Sequence, residues 1–432
     1  MRSHCTSRRH PPPGRTYYVD ATGGGANSGN SEHAALQTVA HVNALALKPG
    51  DRVLFKRGET WSGTEMRPIG GGRAGRHVMF GAYDVGAAPI IQAGAAGETD
   101  HAIYIDKSFL TFRDLYCYYG TDVVVVNAAT NVMFTNCTVE GDTTVLGCGI
   151  TCYGTGLANI IIQGCTVFNN KVPAGGGAGI TGTSINNLLI EGNTVYNNGT
   201  SSSLDHNIYF SVVDGYTCRN NVVYGAAAHG ITMSGITNGV VEGNTSYSNT
   251  AGGIWVSGVN VGLTVKNNLV YSNTASGITL NTNASGATVL NNTVVASNVN
   301  INVRSGVTGC VIKNNISHAG ATQNYGINVV STTELGANVF NNNLYYRLSG
   351  STKPCVINGT TWYTLAEWQA LAGTPDLASV QNDPHFVTDY TDLHLQATSH
   401  AIAAGDATVG VTQDKDGVAR GVAVDIGCFE YI

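Results

Sequence analysis

Apolar and polar positions alternate along most of this chain, and the alternation recurs in blocks. After Gly230, Ile231 and Met233 alternate with Thr232 and Ser234; after Gly277, Ile278 and Leu280 alternate with Thr279 and Asn281. A period of two places successive side chains on opposite faces of a strand. A Gly-Ile or Asn-Ile pair opens such runs at Gly149, Gly179, Asn207, Gly230, Gly253, Gly277, Asn300 and Gly326. A second marker, an asparagine leading into an apolar run, falls at Asn193, Asn221, Asn244, Asn268, Asn292, Asn315 and Asn342. From Asn221 to Asn315 its steps are 23, 24, 24 and 23 residues. Two independent markers with one period imply a repeat architecture.

Each block holds two or three short strands split by Gly and Asn, with no helical stretch. A unit of that length predicts one coil of a parallel β-helix, each strand pairing with its equivalent about 4.8 Å along the axis. The recurring asparagine suits a corner, because it tolerates left-handed backbone and its amide can bond the amides above and below. Cys137 and Cys165 take that slot where the asparagine is missing. Tyr196, Tyr224, Tyr247, Tyr271 and Tyr345, with Phe168 and His318, follow three positions on and predict an aromatic stack. Gln163, Glu191, Arg219, Glu242 and Lys266 align just before the corner and read as a structural charge ladder.

The chain then divides into four parts. Residues 1–16 read as a disordered, basic lead without the apolar core of a secretory signal. Residues 17–89 form an N-terminal cap, in which Leu36, Val39, Ala40, Val42 and Leu45 recur at helical spacing. Residues 90–347 are the coils. Residues 348–432 form a C-terminal capping segment, with Thr361 to Leu371 helical. Both ends need covering, since an open solenoid exposes unpaired strand groups.

Composition adds exclusions. Charged residues are only 12% of the 432, the net charge is -6, and no basic run lies beyond the first fifteen residues, which argues against a nucleic-acid partner. No apolar run is long enough to cross a membrane. The ten cysteines are scattered and form no zinc pattern; Cys152, Cys218 and Cys310 fall on inward positions, and a Cys137–Cys165 disulfide is left open. Asp414, Asp416 and Gly417 have some of the look of a calcium loop but lack its spaced ligands, so turn-forming aspartates are expected.

YYVDATGGGANSG at the start, KPGDRVLFKRGETWSG, the coils, and the closing DPHF, HAIAAGD, DKDG and DIGCFEY together resemble the bacterial right-handed parallel β-helix proteins of the pectate-lyase-like superfamily. The resemblance implies an all-β fold, a single right-handed parallel β-helix, and an extracellular or cell-surface setting. It implies a polysaccharide lyase or glycoside hydrolase acting on an extended polysaccharide. The calcium-binding aspartate cluster of pectate lyases has no counterpart; no cofactor is called for, and calcium is the one candidate if there is one. The trimer-forming spikes of the superfamily carry a long oligomerisation segment that this chain lacks, so a monomer is expected.

The chemistry is expected on the outer side of the Gly-Ile strand. Its outward columns run Tyr104, Thr151, Thr181, Tyr209, Thr232, Trp255, Thr279, Asn302 and Asp106, Tyr153, Thr183, Ser211, Ser234, Ser257, Asn281, Arg304. Asp205, His206 and His229 stand just before it, beside three excursions at 140–148, 169–177 and 197–205. β-Elimination on a uronate needs a base, an acid and a cation for the carboxylate. Here His206, Tyr209, His229, Lys171 and Asp205 are the catalytic candidates, and Trp255, Arg304, Tyr153, Asp142 and Glu140 the substrate contacts. The rival, hydrolysis by two carboxylates about 5–10 Å apart, would draw on Glu140, Asp142 and Asp205. A third reading is a non-catalytic glycan-binding or spike-like β-helix.

Overall fold

Inward side chains and corner asparagines dictate a solenoid, and the computed structural model of the protein is one. It describes residues 14–432 except 25, 95–100, 143–146, 172–177, 201–203, 321–324, 349–351, 372–375 and 389–390. Each coil contributes up to three strands. The first series includes Ile103–Ile105, Asp122–Asn127, Cys148–Tyr153, Ile231–Thr237 and Gly252–Ser257; the third includes Thr138–Glu140, Thr166–Phe168 and Thr194–Tyr196. A second series lies between them, and on two coils a single strand, Ala178–Glu191 or His206–Arg219, spans the first and second. Equivalent strands pair in parallel, in register: Ile180 with Ile208, Ile208 with Ile231, Ile231 with Ile254. Among the described residues there are three short α-helices.

The interior is continuous because alternate positions of every strand point into it. Ile150, Ile180, Ile208, Ile231, Ile254 and Ile278 are all fully buried. Phe80, Phe112 and Phe134 stack on successive coils with centroids 5.0 and 5.2 Å apart. Such like-on-like stacking follows from parallel register, since each side chain meets its equivalent one coil away.

Two asparagine ladders hold the corners. In the first, the Nδ2 of Asn193, Asn221, Asn244, Asn268 and Asn292 each donates to the next asparagine Oδ1 at 2.9 Å. The same amides donate to backbone carbonyls, and each backbone N–H donates to the next Oδ1, so every polar atom of these buried side chains is used. The last rung is Asn343, not Asn342: Asn315 donates to Asn343 at 3.1 Å, whereas Asn342 is the left-handed residue before it (φ 52°). Accordingly Tyr346 stacks on His318 at 5.0 Å, and Tyr345 points inward, fully buried. The aromatic stack itself runs Phe168, Tyr196, Tyr224, Tyr247, Tyr271 at 4.9 to 5.0 Å. The charge ladder is also present, with Gln163 to Glu191 at 2.9 Å, Arg219 to Glu191 at 2.6 Å and Lys266 to Glu242 at 3.1 Å.

The second ladder explains the Gly-Ile marker. Asn170 donates to Asn198 at 2.8 Å, and Asn249 to Asn273 at 2.9 Å. A Cβ on Gly253 would lie 2.8 Å from the Asn273 amide and 2.3 Å from Val270, so glycine leaves the room this ladder needs. Where the ladder slot is Ala226, Asn207 replaces the glycine and supplies the missing amide, accepting from Asn198 at 2.8 Å. Asn300 does the same where the slot is Ser297, accepting from the Ser297 N–H at 3.1 Å.

Three expectations change. The N-terminal helix is only Val39–Asn43, and in the C-terminal part only Leu365–Gln369 is helical, started by a Thr364–Glu367 capping box; Thr361–Tyr363 is a strand, antiparallel to Cys355–Ile357. The C-terminal segment also does more than close an end. From about residue 400 it lies along the flank of the coils, where Asn267 donates to the Gln413 carbonyl, Asn291 to Asp425 and Asn314 to Asp406. Buried Arg420 clamps it, donating to Glu430 at 2.6 Å and to Asn267 at 3.2 Å. The nine described cysteines are buried and none is in a disulfide, Cys137 and Cys165 included; Cys5 and most of the lead lie outside the described residues.

Asn268→Leu should orphan the Asn244 backbone and side-chain donors at once. At roughly 1–3 kcal/mol per buried unsatisfied group, a loss of several kcal/mol is expected in chemical denaturation, against little change for Ser234→Ala on the outer face.

Candidate functional site

Parallel register puts Tyr209, Thr232 and Trp255 in one outward column on adjacent coils. Ile208 and Phe210 are fully buried on either side of Tyr209, so alternation turns its ring out. Asn207 occupies the inward corner slot, and His206 is left at the rim, where its ring lies 5.5 Å from Tyr209 and 5.2 Å from His229. His229 in turn stacks on Trp255 at 4.2 Å. Arg304, two coils further on, sets its guanidinium 5.6 Å from the Trp255 ring. The structure thus gathers five sequence candidates, His206, Tyr209, His229, Trp255 and Arg304, into one continuous patch.

Both histidines are neutral at physiological pH. Burial pushes His206 down to about 4, against a smaller upward pull from Asp205. Burial, with His206 and Arg304 as neighbouring positive charges, pushes His229 down to about 3. The His229 backbone N–H donates to His206 Nδ1 at 3.4 Å, which places the neutral proton of His206 on Nε2. His206 is therefore a hydrogen-bond donor toward the face rather than a proton acceptor there. Two polar atoms beneath the patch, His229 Nδ1 and Thr232 Oγ1, are buried without a hydrogen-bond partner among the described residues. Buried polar groups are normally paired, so these two atoms are exceptions close together on one face. Arg304 is exposed and forms no ion pair among the described residues.

The other candidates go elsewhere. Lys171 donates to the Asn197 and Gly199 carbonyls at 3.1 and 3.2 Å, holding a corner. Asp205 is fully buried and accepts from the Thr200 N–H at 2.8 Å, shaping its own loop. Glu140 is on the third strand series and accepts from Tyr116 and from Asn169; Asp142, just beyond, accepts from Tyr118 at 3.1 Å. Glu140 and Asp142 lie off the Tyr209 patch, while Asp205 is buried against it and acts on His206 through its charge. Parts of all three excursions (143–146, 172–177 and 201–203) lie outside the described residues.

Tyr153 stays on the face, two coils before Tyr209, and is 38% exposed. Burial and a hydrogen bond with Tyr104 push its hydroxyl up to about 12. Around it lies a group in which the sequence reading expected Tyr104 and Asp106 on the outward columns but not Arg67 and Lys107. Arg67 packs over the Tyr104 ring at 4.4 Å and pairs with Asp106 at 2.6 Å. Lys107 shares the same carboxylate at 2.7 Å, and His101 stacks on Tyr104 at 5.5 Å. The reading also skipped a coil, Asp122–Asn127, which lies between the strands of Tyr104 and Thr151. Its run of four valines carries no Gly-Ile marker; the only signal was a continuous apolar strand buried on both faces.

The calcium-like loop is a turn. Asp414 Oδ1 accepts from the Asp416 and Val418 N–H groups, and Oδ2 from that of Glu430; Asp416 binds His394 at 2.8 Å. Both carboxylates are thus committed to protein partners, and no group of three or more His, Cys, Asp and Glu suited to a metal occurs among the described residues.

The family model described as right handed beta helix region matches residues 206–358. No curated protein matches the chain in sequence. Among solved structures, the pectate lyase Pel9A is similar over 98% of this chain and 97% of its own, at 16% identity and a TM-score of 0.55. XylC in complex with xylose is similar over 96% and 98%, at 10% identity and 0.66. A rhamnogalacturonan lyase covers 76% of this chain and 87% of its own, at 17% identity and 0.53. At such identities the likeness is one of fold.

The histidine pair has a pH signature. Unfolded histidine titrates near 6.5, so below that pH the unfolded chain binds protons that the folded pair refuses. The pair's contribution is complete above about pH 6.5 and is lost as pH falls toward 4, at roughly 1.4 kcal/mol per pH unit for each histidine. Thermal unfolding from pH 7 to 4 should therefore fall more steeply in the native protein than in a His206→Gln, His229→Gln double variant.

Proposed function

Because the chain folds as a right-handed parallel β-helix similar to that of a pectate lyase, we propose that it is a carbohydrate-active enzyme that cleaves a uronate-containing polysaccharide by β-elimination at the Tyr209–Trp255 patch. The observation that carries this reading is Arg304, exposed and without an ion-pair partner among the described residues, set over Trp255 beside His229. An indole offers its face to a sugar ring, and a free guanidinium next to it matches a sugar carboxylate in a forked pair.

In this scheme Arg304 neutralises the carboxylate and the enolate that forms from it. His229, a neutral imidazole, takes the proton from the carbon beside the carboxylate. The electron pair left behind forms the carbon–carbon double bond and expels the glycosidic oxygen, which the Tyr209 hydroxyl protonates. The low proton affinity of His229 in the free protein is partly due to Arg304, and a bound carboxylate offsets that charge, raising the basicity of His229 when substrate is present. His206 Nε2–H orients a substrate oxygen.

Hydrolysis is the less favoured reading, because it needs two carboxylates flanking the bond. Glu140 and Asp142 lie off the patch with tyrosine partners, and Asp205 is buried. A solenoid that only binds glycan is the third. Pectate lyase and rhamnogalacturonan lyase among the similar structures support the lyase reading by fold analogy alone.

The test is incubation with acidic and neutral polysaccharides, followed by ultraviolet absorbance of unsaturated ends and by reducing ends. Both signals should rise together on an acidic polymer. Tyr209→Phe should lower kcat by about 10²–10⁴-fold, the usual weight of a general acid, with the fold unchanged. Reducing ends without absorbance would mean hydrolysis. Silence in both would leave binding.

A further inference from the structure

The Tyr104 group and the Tyr209 patch share one outward column. The register runs Tyr104, Val125, Thr151, Thr181, Tyr209, Thr232, Trp255. That is six coil steps, or about 29 Å at roughly 4.8 Å per parallel strand. Aromatic rings sit on every second coil of this face: Tyr104, Tyr153 in the neighbouring outward column, Tyr209 and Trp255. Between the ends, the two outward columns hold Val, Thr, Ser, Asn and Tyr and no charged residue, and Val125 and Thr232 are buried within them.

Charge appears at the two ends, in the same form. Arg67 lies over Tyr104 at 4.4 Å, and Arg304 over Trp255 at 5.6 Å. At the first end Arg67 and Lys107 share the carboxylate of Asp106, and Glu65 lies near enough to act on Arg67 as well. The second end has no carboxylate partner at all among the described residues. Arg67 is 51% exposed in its side chain and Lys107 40%, so both can meet a ligand. A guanidinium stacked on an aromatic ring is held in a fixed plane, which suits a carboxylate rather than a neutral sugar; Arg67 gives its Nε and one Nη2 bond to Asp106, which leaves its Nη1 for a ligand.

We propose that Arg67, with Tyr104 and Lys107, forms a remote subsite for an acidic sugar of the same polymer whose cleavage point lies at Trp255. This rests on the reading of the Tyr209 patch as a uronate-glycan site and deepens it. The substrate is a polyuronate lying along the solenoid axis, anchored by a carboxylate at each end of the track. With about one sugar ring per coil step of roughly 4.8 Å, the two anchors are engaged together only by a segment of about six rings. The protein thus acts within long chains and discriminates against short ones, because only long chains gain the second contact without a second loss of translational freedom.

The experiment is calorimetric binding at low salt of polygalacturonate, alginate and the trimer of each, with dextran as the neutral control. The proteins are the native chain, Arg67→Gln, and Trp255→Ala. Arg67→Gln should weaken polymer binding by about tenfold, leave trimer binding unchanged, and leave thermal unfolding unchanged. Trp255→Ala should weaken polymer and trimer alike. If Arg67→Gln binds polymer as tightly as the native chain, the remote subsite is overturned while the Tyr209 site stands. If Trp255→Ala is also without effect, or if neither acidic polymer binds the native chain better than dextran, both readings fall.

Discussion

The structure depends on satisfying backbone corners without water. A solenoid turns three times per coil inside its own wall, and each turn leaves amide groups that no strand pairs. The buried asparagine amide resolves this, because it offers two donors and an acceptor that takes two bonds. On Asn244 it donates to a carbonyl of the preceding coil, accepts from the backbone N–H of the preceding rung, and donates to its own equivalent on the next coil. Each rung is complete only when its neighbours are present, so ordering one coil prepares the next, as expected of a quasi-one-dimensional repeat. The second ladder obeys the same rule strictly enough that Asn207 and Asn300 replace glycine where a rung would otherwise be lost.

That interior constraint frees the exterior. With inward positions committed to Ile, Val and Phe, and corners to Asn and Gly, outward residues carry little of the fold and vary from coil to coil. Chemistry can then be written along the axis as on a ruler with a mark at each coil. Tyr209, Trp255 and Arg304 occupy every second mark, and Tyr104 with Arg67 lies further along the same edge. The fold also decides electrostatics at the patch. Burial at the corner costs His206 and His229 their protons, so they present neutral nitrogens beside Arg304.

The C-terminal segment shows what the third face is used for. The left-handed corner asparagines Asn267, Asn291 and Asn314 direct their amides outward, to the backbone of the returning chain. Arg420, Asp425 and Glu430 tie that chain to itself and to the coils. Val295, Ile316 and Leu344 are covered by Phe386, Leu393 and Phe429. The coils therefore gain a second, smaller apolar cluster on their outer wall.

The sequence by itself determined the repeat, the strands, the inward and outward sides and the first asparagine ladder, because these follow from period two and from residue types at a fixed interval. It also brought Tyr209, His229, Trp255 and Arg304 to one face, since a regular 23- or 24-residue step carries a column from coil to coil. Only the tertiary structure decided the rest. Three successive asparagines, 341 to 343, allow either register, and pairing of Ser317 with Tyr345 chose one. The valine coil at 122–127 has no polar phase from which to read a face. Lys171, Asp205, Glu140 and Asp142 were near the right corner in sequence, but hydrogen bonds to carbonyls, to a loop amide and to tyrosines held them there. Arg67 reaches Tyr104 from 37 residues away through a side chain in space, a contact that no local pattern encodes.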